Sequence, residues 1–356
     1  MLPLFFDEAC FGVPSSLGGR SFSSDIKCYW ARRGFRAVCV PRFLPEAPEA
    51  IFSMSVTYNP AVHRYALFTA GSTVLLLVAG ALVTSNDAGL AVPDWPTSYG
   101  TFFPPMVGGI FYEHGHRMVA TFVGLVTIGL AILLWRKESR PWMRALGWTA
   151  LAAVIVQGLF GALTVKLRLP PAVSIIHASL AQGFFCLTVS IAVFTSPWWL
   201  SDPPAEDDAA SPRLVSLSIW LACVAFLQLV LGAAVRHNAF GIWPHLVGAA
   251  AVLALAIIVA RTVRRRFANV PPLHALSKWL NSVIGAQILL GGAAWWSRIA
   301  TRDAPQPEPI AIWLTVAHTV LGAIVLASTV VFVLVCRRLF RAPEPALATR
   351  RQPVSS

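Results

Sequence analysis

Eight apolar runs, each long enough to cross a lipid bilayer, leave this chain few ways to fold. They fall near residues 65–84, 113–135, 144–165, 172–195, 214–235, 241–262, 276–296 and 311–335. Crossing about 30 Å of hydrocarbon takes roughly 20 residues of helix, so each run is predicted to be one transmembrane helix. Composition agrees: 56% of the residues are hydrophobic and 12% charged, against roughly 45–50% and about 25% in soluble domains. A chain with so little polar surface is an integral membrane protein.

The formal charge of +12 would suit a nucleic-acid binder, but its distribution reads as topology. Arg136, Lys137, Arg140 and Arg144 fill the connection after the second run. Arg261, Arg264, Arg265, Arg266 and Lys278 surround that after the sixth, and Arg337, Arg338, Arg341, Arg350 and Arg351 follow the eighth. The opposite connections carry far fewer cations, and 85–112 carries none. The positive-inside rule therefore puts both termini in the cytoplasm. The connection Pro197–Arg213 is acidic, with Asp202, Glu206, Asp207 and Asp208, and reads as a polar linker between two halves.

Residues 1 to about 53 differ from the rest, with three of the six cysteines and scattered Pro and Gly but no sustained periodicity. Asp7, Glu8, Asp25, Glu46 and Glu49 weaken a transit-peptide reading, and Met54 is the expected true start. The domain plan is a disordered extension over 1–58, a four-helix half over 59–196, the linker 197–213, a second half over 214–338 and a disordered basic tail over 339–356. Cys186, Cys223 and Cys336 lie in or at the ends of helices, so no structural disulfide is expected.

An internal repeat underlies the two halves. Gln157, Gly161 and Ala162 in the third run recur as Gln228, Gly232 and Ala233 in the fifth and as Gln287, Gly291 and Gly292 in the seventh, while the first run has Gly80 and Ala81 without the glutamine. Small residues let membrane helices approach closely. The expected fold is all-α, with eight transmembrane helices forming two tandem, pseudo-symmetric four-helix bundles.

Each bundle carries a histidine near the outer end of its second and fourth helix: His116 and His177, then His245 and His318. Ionisable residues at membrane depth are functional candidates. Two imidazoles from facing helices of a bundle suit the two axial positions of a haem iron, so four suggest two haems. Zinc fits less well, because no Cys or paired carboxylate accompanies them. His63, His114, His237 and His274 do not share the repeat and read as structural or solvated. Glu113 precedes His116 by three residues, one turn earlier on the same face, whereas the second half has Ile242 there. This asymmetry is expected if the first haem is substrate and the second cofactor. The plainer role for Glu113 is a charge at a helix N-terminus.

These residues resemble the haem A synthase family (CtaA type). The likeness rests on Glu113-x-x-His116-Arg117, the preceding loop Gly89-Leu90-Ala91-Val92-Pro93-Asp94-Trp95-Pro96, and the surroundings of His177 and His318, over about Val62 to Cys336. It implies oxidation of the C8 methyl of haem O to a formyl group, giving haem A for terminal oxidases. It further implies haem b held by His245 and His318, substrate haem O near His116 and His177, and Glu113 as the catalytic carboxylate. A multi-pass plasma (inner) membrane protein is implied too, contacting haem O synthase, a terminal oxidase, an electron carrier and membrane lipid, but no nucleic acid. Two departures stand out. Many relatives carry a cysteine pair in the loop after the first run, but here Val92 and Ser98 stand nearby and no cysteine does, and Leu246 follows the third histidine where an Arg is expected. The aromatic loop 85–112 reads as a lid or an interfacial anchor. Asp94 is a second candidate acid. The alternatives are a bis-haem electron-transfer cytochrome and a haem transporter or assembly factor.

Overall fold

The computed structural model describes residues 26–30, 37–41, 57–201, 203, 205–208 and 211–340. Most of the expected disordered extension 1–58 and all but the first residues of the tail 339–356 lie outside the described residues. Strands β1 (Ile26–Trp30) and β2 (Ala37–Pro41) pair antiparallel in a separate N-terminal unit, Met1–Ser55.

The body of the chain is helical. Its elements are α1 (Pro60–Ser85), α2 (Gly108–Lys137), α3 (Pro141–Lys166), α4 (Pro171–Phe194), the single turn α5 (Pro197–Leu200), α6 (Leu214–Arg236), α7 (Trp243–Arg266), α8 (Pro271–Ala300) and α9 (Pro309–Leu339). Proline opens most of them, at positions whose N–H would have no helical partner anyway. Asn59 caps α1 by accepting the Ala61 and Val62 amides. Arginines and lysines close α2, α7 and α9, where they complement the C-terminal end of the helix dipole.

Among the described residues, seven helices are long and apolar enough to cross a membrane. The remaining long one, α8, spans 30 residues. Its apolar average is diluted by Lys278, Asn281, Gln287, three glycines and the Trp295–Trp296 pair. Large apolar side chains point outward along the helices, among them Leu125, Leu289 and Val247, as a lipid-facing surface requires. Hydroxyls buried among the helices bond backward to their own backbone, as Thr73 does to Thr69 and Thr127 to Val123.

Helices α1 to α4 pack as a ring in sequence order, with α4 returning onto α1, and α6 to α9 do the same, with α9 returning onto α6. Between the rings, α9 lies against α1 and α4, and α4 against α6. The linker is not featureless. Ser196 caps α5, Asp208 accepts the Leu214 amide at the start of α6, and the Glu206 amide donates to the Leu339 carbonyl at the end of α9.

At the α2–α3 turn, Glu138 and Arg140 form a buried ion pair with a 2.7 Å contact. Arg140 also donates to the Phe194 carbonyl, tying the turn to the end of α4. Burial pushes the Glu138 carboxyl up, but the Arg140 side chain and amide that donate to it pull harder, and its pKa falls below the ordinary value. The resulting stability is present at neutral pH and is lost as acidification protonates the carboxylate. Glu138→Gln should cost about 2–3 kcal/mol, read as a fall of about 5 °C in the melting temperature of the detergent-solubilised protein. No shift at neutral pH would show that the turn is held by packing alone.

Candidate functional site

The four histidines of the repeat meet one structural device four times. On the helix before each of them a glycine faces the imidazole, and any side chain there would strike the ring. A Cβ placed on Gly80 would stand 3.1 Å from Cε1 of His116, and one on Gly161 would stand 3.2 Å from Cε1 of His177. For Gly232 against His245 and Gly291 against His318 the distances are 2.9 and 2.7 Å, closer than real Cβ atoms come. The glycines noted in the sequence as aids to helix approach thus make room for the rings themselves.

The structure brings one of the two expected pairs together: the rings of His245 and His318 lie 6.3 Å apart, centroid to centroid, at an interplanar angle of 82°. His116 on α2 and His177 on α4 occupy the repeat-equivalent positions of the first ring. Nδ1 of His116, His177 and His318 is buried without a hydrogen-bond partner. Among the described residues no group of three or more His, Cys, Asp or Glu side chains converges as a metal site. An ion held here would take two imidazoles and draw its other ligands from elsewhere.

A contact the sequence reading missed involves the repeated glutamines. Gln157 Nε2 donates to the His177 carbonyl at 3.0 Å, Gln228 Nε2 to the His245 carbonyl at 2.8 Å, and Gln287 Nε2 to the His318 carbonyl at 3.0 Å. The recurring spacing of Gln four residues before Gly was the available signal. Beside Gln228 an apolar groove of about 580 Å³ opens between α6 and α7, lined by Trp243, Pro244, Val247 and Gly248.

Glu113 is buried, with 4% of its surface exposed. Because α2 begins at Gly108, Glu113 lies beyond the first turn and does not serve as an N-terminal dipole charge. Its Oε1 accepts from Arg117 at 2.6 Å and its Oε2 from the Val92 amide at 2.7 Å. Arg117 in turn donates to the carbonyls of Val92, Asp94 and Thr97. The neighbouring His114 is buried against Ser98, with Oγ and Nδ1 2.8 Å apart. Val92 and Ser98 are thus among the residues that fasten the loop to α2, together with the carbonyls of Asp94 and Thr97. Arg117 is occupied by the loop and by Glu113.

Asp94 organises the loop tip. The Gly100 amide, the Thr97 hydroxyl and the Tyr99 amide donate to its carboxylate and hold its pKa at about 2, which makes it a poor proton acceptor near neutral pH. The remaining histidines fall to structural positions where a partner is seen, as for His63 on the Thr195 hydroxyl.

Residues 107–330 match the family of cytochrome oxidase assembly proteins (COX15-CtaA). The chain is 30% identical over 260 residues to "Heme A synthase" of Symbiobacterium thermophilum, covering 64% of this chain and 83% of that protein. It is 26% identical over 183 residues to "Heme A synthase" of Bacillus pumilus, covering 50% and 59%. A shorter match, 30% over 138 residues, joins it to "Protoheme IX farnesyltransferase" of Halobacterium salinarum, covering 39% of this chain and 31% of that one.

The polar fastening of the loop can be tested directly. Arg117→Met leaves Glu113 buried without its cation, a change worth about 3 kcal/mol. Hydrogen exchange across Val92–Thr101 should accelerate roughly a hundredfold while α3 and α4 stay protected. An unchanged rate would mean that apolar contacts, such as Ala91 on Gly109, hold the loop.

Proposed function

The chain belongs to the COX15-CtaA family of cytochrome oxidase assembly proteins, and from that premise we propose that it is a haem A synthase, an oxidoreductase that converts the C8 methyl of haem O to the formyl group of haem A. The relative named for protohaem farnesylation supports haem O, a farnesylated haem, as the substrate. The architecture we propose is eight membrane spans in two bundles related by a pseudo-twofold axis. Exchanging the halves carries the contact of α1 with α9 onto that of α6 with α4, and leaves α4 against α9 in place. The fourfold recurrence of glycine against imidazole supports the same reading. The cationic ends of α2, α7 and α9 support cytoplasmic termini, and the membrane we propose is the plasma membrane.

The observation that carries the haem reading is the pairing of His245 with His318 at 6.3 Å. That separation would let the two imidazoles hold one metal ion between them, as the iron of a b-type haem requires. We assign His245 and His318 to haem b and His116 and His177 to the substrate haem O. Haem b, when bound, supplies electron transfer. The division between halves follows Glu113, which has only Ile242 as its counterpart. Its carboxylate, fixed by Arg117 and the Val92 amide, supplies a buried negative charge or a proton acceptor one turn from His116. The loop it holds shields that end of the first bundle from water. Haem O synthase, a terminal oxidase and an electron carrier are the partners this activity requires.

Pigment extraction from the purified protein tests the reading. Haem O or haem A beside haem b is expected, whereas haem b alone in two equivalents would identify an electron-transfer cytochrome. His245→Ala or His318→Ala should abolish the bound haem b spectrum, while His116→Ala or His177→Ala should keep much of it and stop product formation. The reverse pattern would exchange the two halves.

Glu113→Gln breaks the pair with Arg117 and should loosen the loop after α1, while haem b content in the second half stays near normal and the methyl-to-formyl conversion slows by about two to four decades, with haem O or a hydroxylated intermediate accumulating. Extracted pigment that remained mainly haem A would assign Glu113 to loop fastening alone.

A further inference from the structure

The loop between α1 and α2 is inside out for a segment in water. The hydroxyls of its tip are all engaged within it or against α2. Thr97 donates to Asp94, Ser98 meets Nδ1 of His114, Tyr99 donates to the Ala91 carbonyl, and Thr101 accepts the Phe103 amide. Ser98 and Thr101 close the tip by exchanging amide-to-carbonyl bonds of 2.9 and 3.2 Å. The apolar side chains turn outward instead. Phe103 has 89% of its surface exposed and Phe102 67%, and Trp95, Val107 and Phe111 are exposed on either side in the sequence. Residues 95–112 contain no charged side chain.

Water favours the opposite arrangement, and an exposed apolar patch of this kind marks a contact surface. The rest of the molecule indicates which contact. The second bundle displays Trp243 at the start of α7, Trp296 near the end of α8 and Trp313 near the start of α9, all exposed. The His245–His318 pairing puts the starts of α7 and α9 at one end of the rings. Arg236 donates to the Ser85 hydroxyl at 2.7 Å, which puts the end of α6 beside the end of α1, where the loop begins. Aromatic rings exposed at one level around a membrane protein form the belt that sits among lipid headgroups. In the first bundle the other connection at this end, 167–170, has no aromatic residue, so the loop supplies that bundle's share of the belt. A docking face for a polypeptide carries a polar rim, whereas here the polar groups are engaged within the loop.

We propose that the turn over residues 99–103 is a membrane-surface anchor, with Phe102 and Phe103 seated in the leaflet at the histidine end of the rings and phospholipid as their partner. Irregular backbone is excluded from the hydrocarbon interior. The seat is therefore shallow, about 5–10 Å into the boundary between headgroups and acyl chains. Of the two roles open to this loop from its sequence, the anchor is the one assigned, and the loop does not swing as a lid. Glu113 and Arg117 hold its base to α2 while the bilayer holds its tip, so one end is fixed by polar contacts and the other by apolar ones. The proposal rests on the membrane reading of the helices and not on haem.

The test uses the full-length protein with the photoreactive p-benzoylphenylalanine in place of Phe103 and, in a second variant, in place of Phe102. Both rings are exposed, so neither replacement disturbs the packing. Leu125, exposed on α2, takes the same label as the reference for lipid contact. Each variant is irradiated in the membranes of the cells that make it and then weighed intact. Positions 102 and 103 should gain the mass of one phospholipid in a yield comparable with that at 125. A cross-link to another polypeptide instead would make the loop a protein-docking surface and overturn the proposal. Absence of lipid at both positions while 125 takes it would put the tip in water, with the same result. If 125 takes no lipid either, the membrane reading itself falls first.

Discussion

Inside a bilayer a polar ring that finds no partner is costly, so a chain with four histidines on its interior helix faces must hold each one where it can be used. Here the holding is done by absence of bulk. A glycine on one helix and an imidazole on the next occupy the space that two ordinary side chains would otherwise fill, and helix spacing follows from that fit. The antiparallel neighbours α1–α2, α3–α4, α6–α7 and α8–α9 are each built on such a contact. The rings they form set imidazoles from alternate helices toward one another, as the His245–His318 geometry illustrates.

The polar interactions outside the rings serve the same end by different means. The loop after α1 has no regular structure beyond an isolated bridge, yet Val92 is gripped at both its amide and its carbonyl by residues one turn apart on α2. Glu113 and Arg117 neutralise each other at 2.6 Å, so a charged pair can lie near membrane depth without demanding water. At the other end of the bundle Glu138 and Arg140 close the α2–α3 turn in the same manner.

Much of this was legible in the sequence. Length and apolar character were enough for seven of the long helices, since a span in lipid leaves little choice of structure. The Gln–Gly repeat was visible as spacing, and Glu113 with Arg117 was visible as an (i, i+4) pair. Contacts made across space were not. Nothing local says that Gly232 faces His245 or that Arg117 will collect three carbonyls from a loop more than 15 residues before it. Helix α2 begins at Gly108, ahead of the apolar run near 113–135; Val107 caps it without a side-chain hydrogen bond and leaves no signature in the sequence. The turn α5 was overlooked although Ser196 followed by Pro197 is a recognisable cap.

The position of α9 bears on how such a chain is made. It packs against α6 and α8 in its own ring and against α1 and α4 in the other, and it carries the densest run of buried residues of any described helix. It is also the last of these helices to leave the ribosome. Until it emerges, neither ring has its full set of neighbours, and the face shared by α1 and α4 must wait in lipid for a partner translated over a hundred residues later. A ribosome that stalls short of α9 therefore leaves the second ring without its closing helix, and leaves the first ring, whose four helices are all present, without the neighbour that covers α1 and α4.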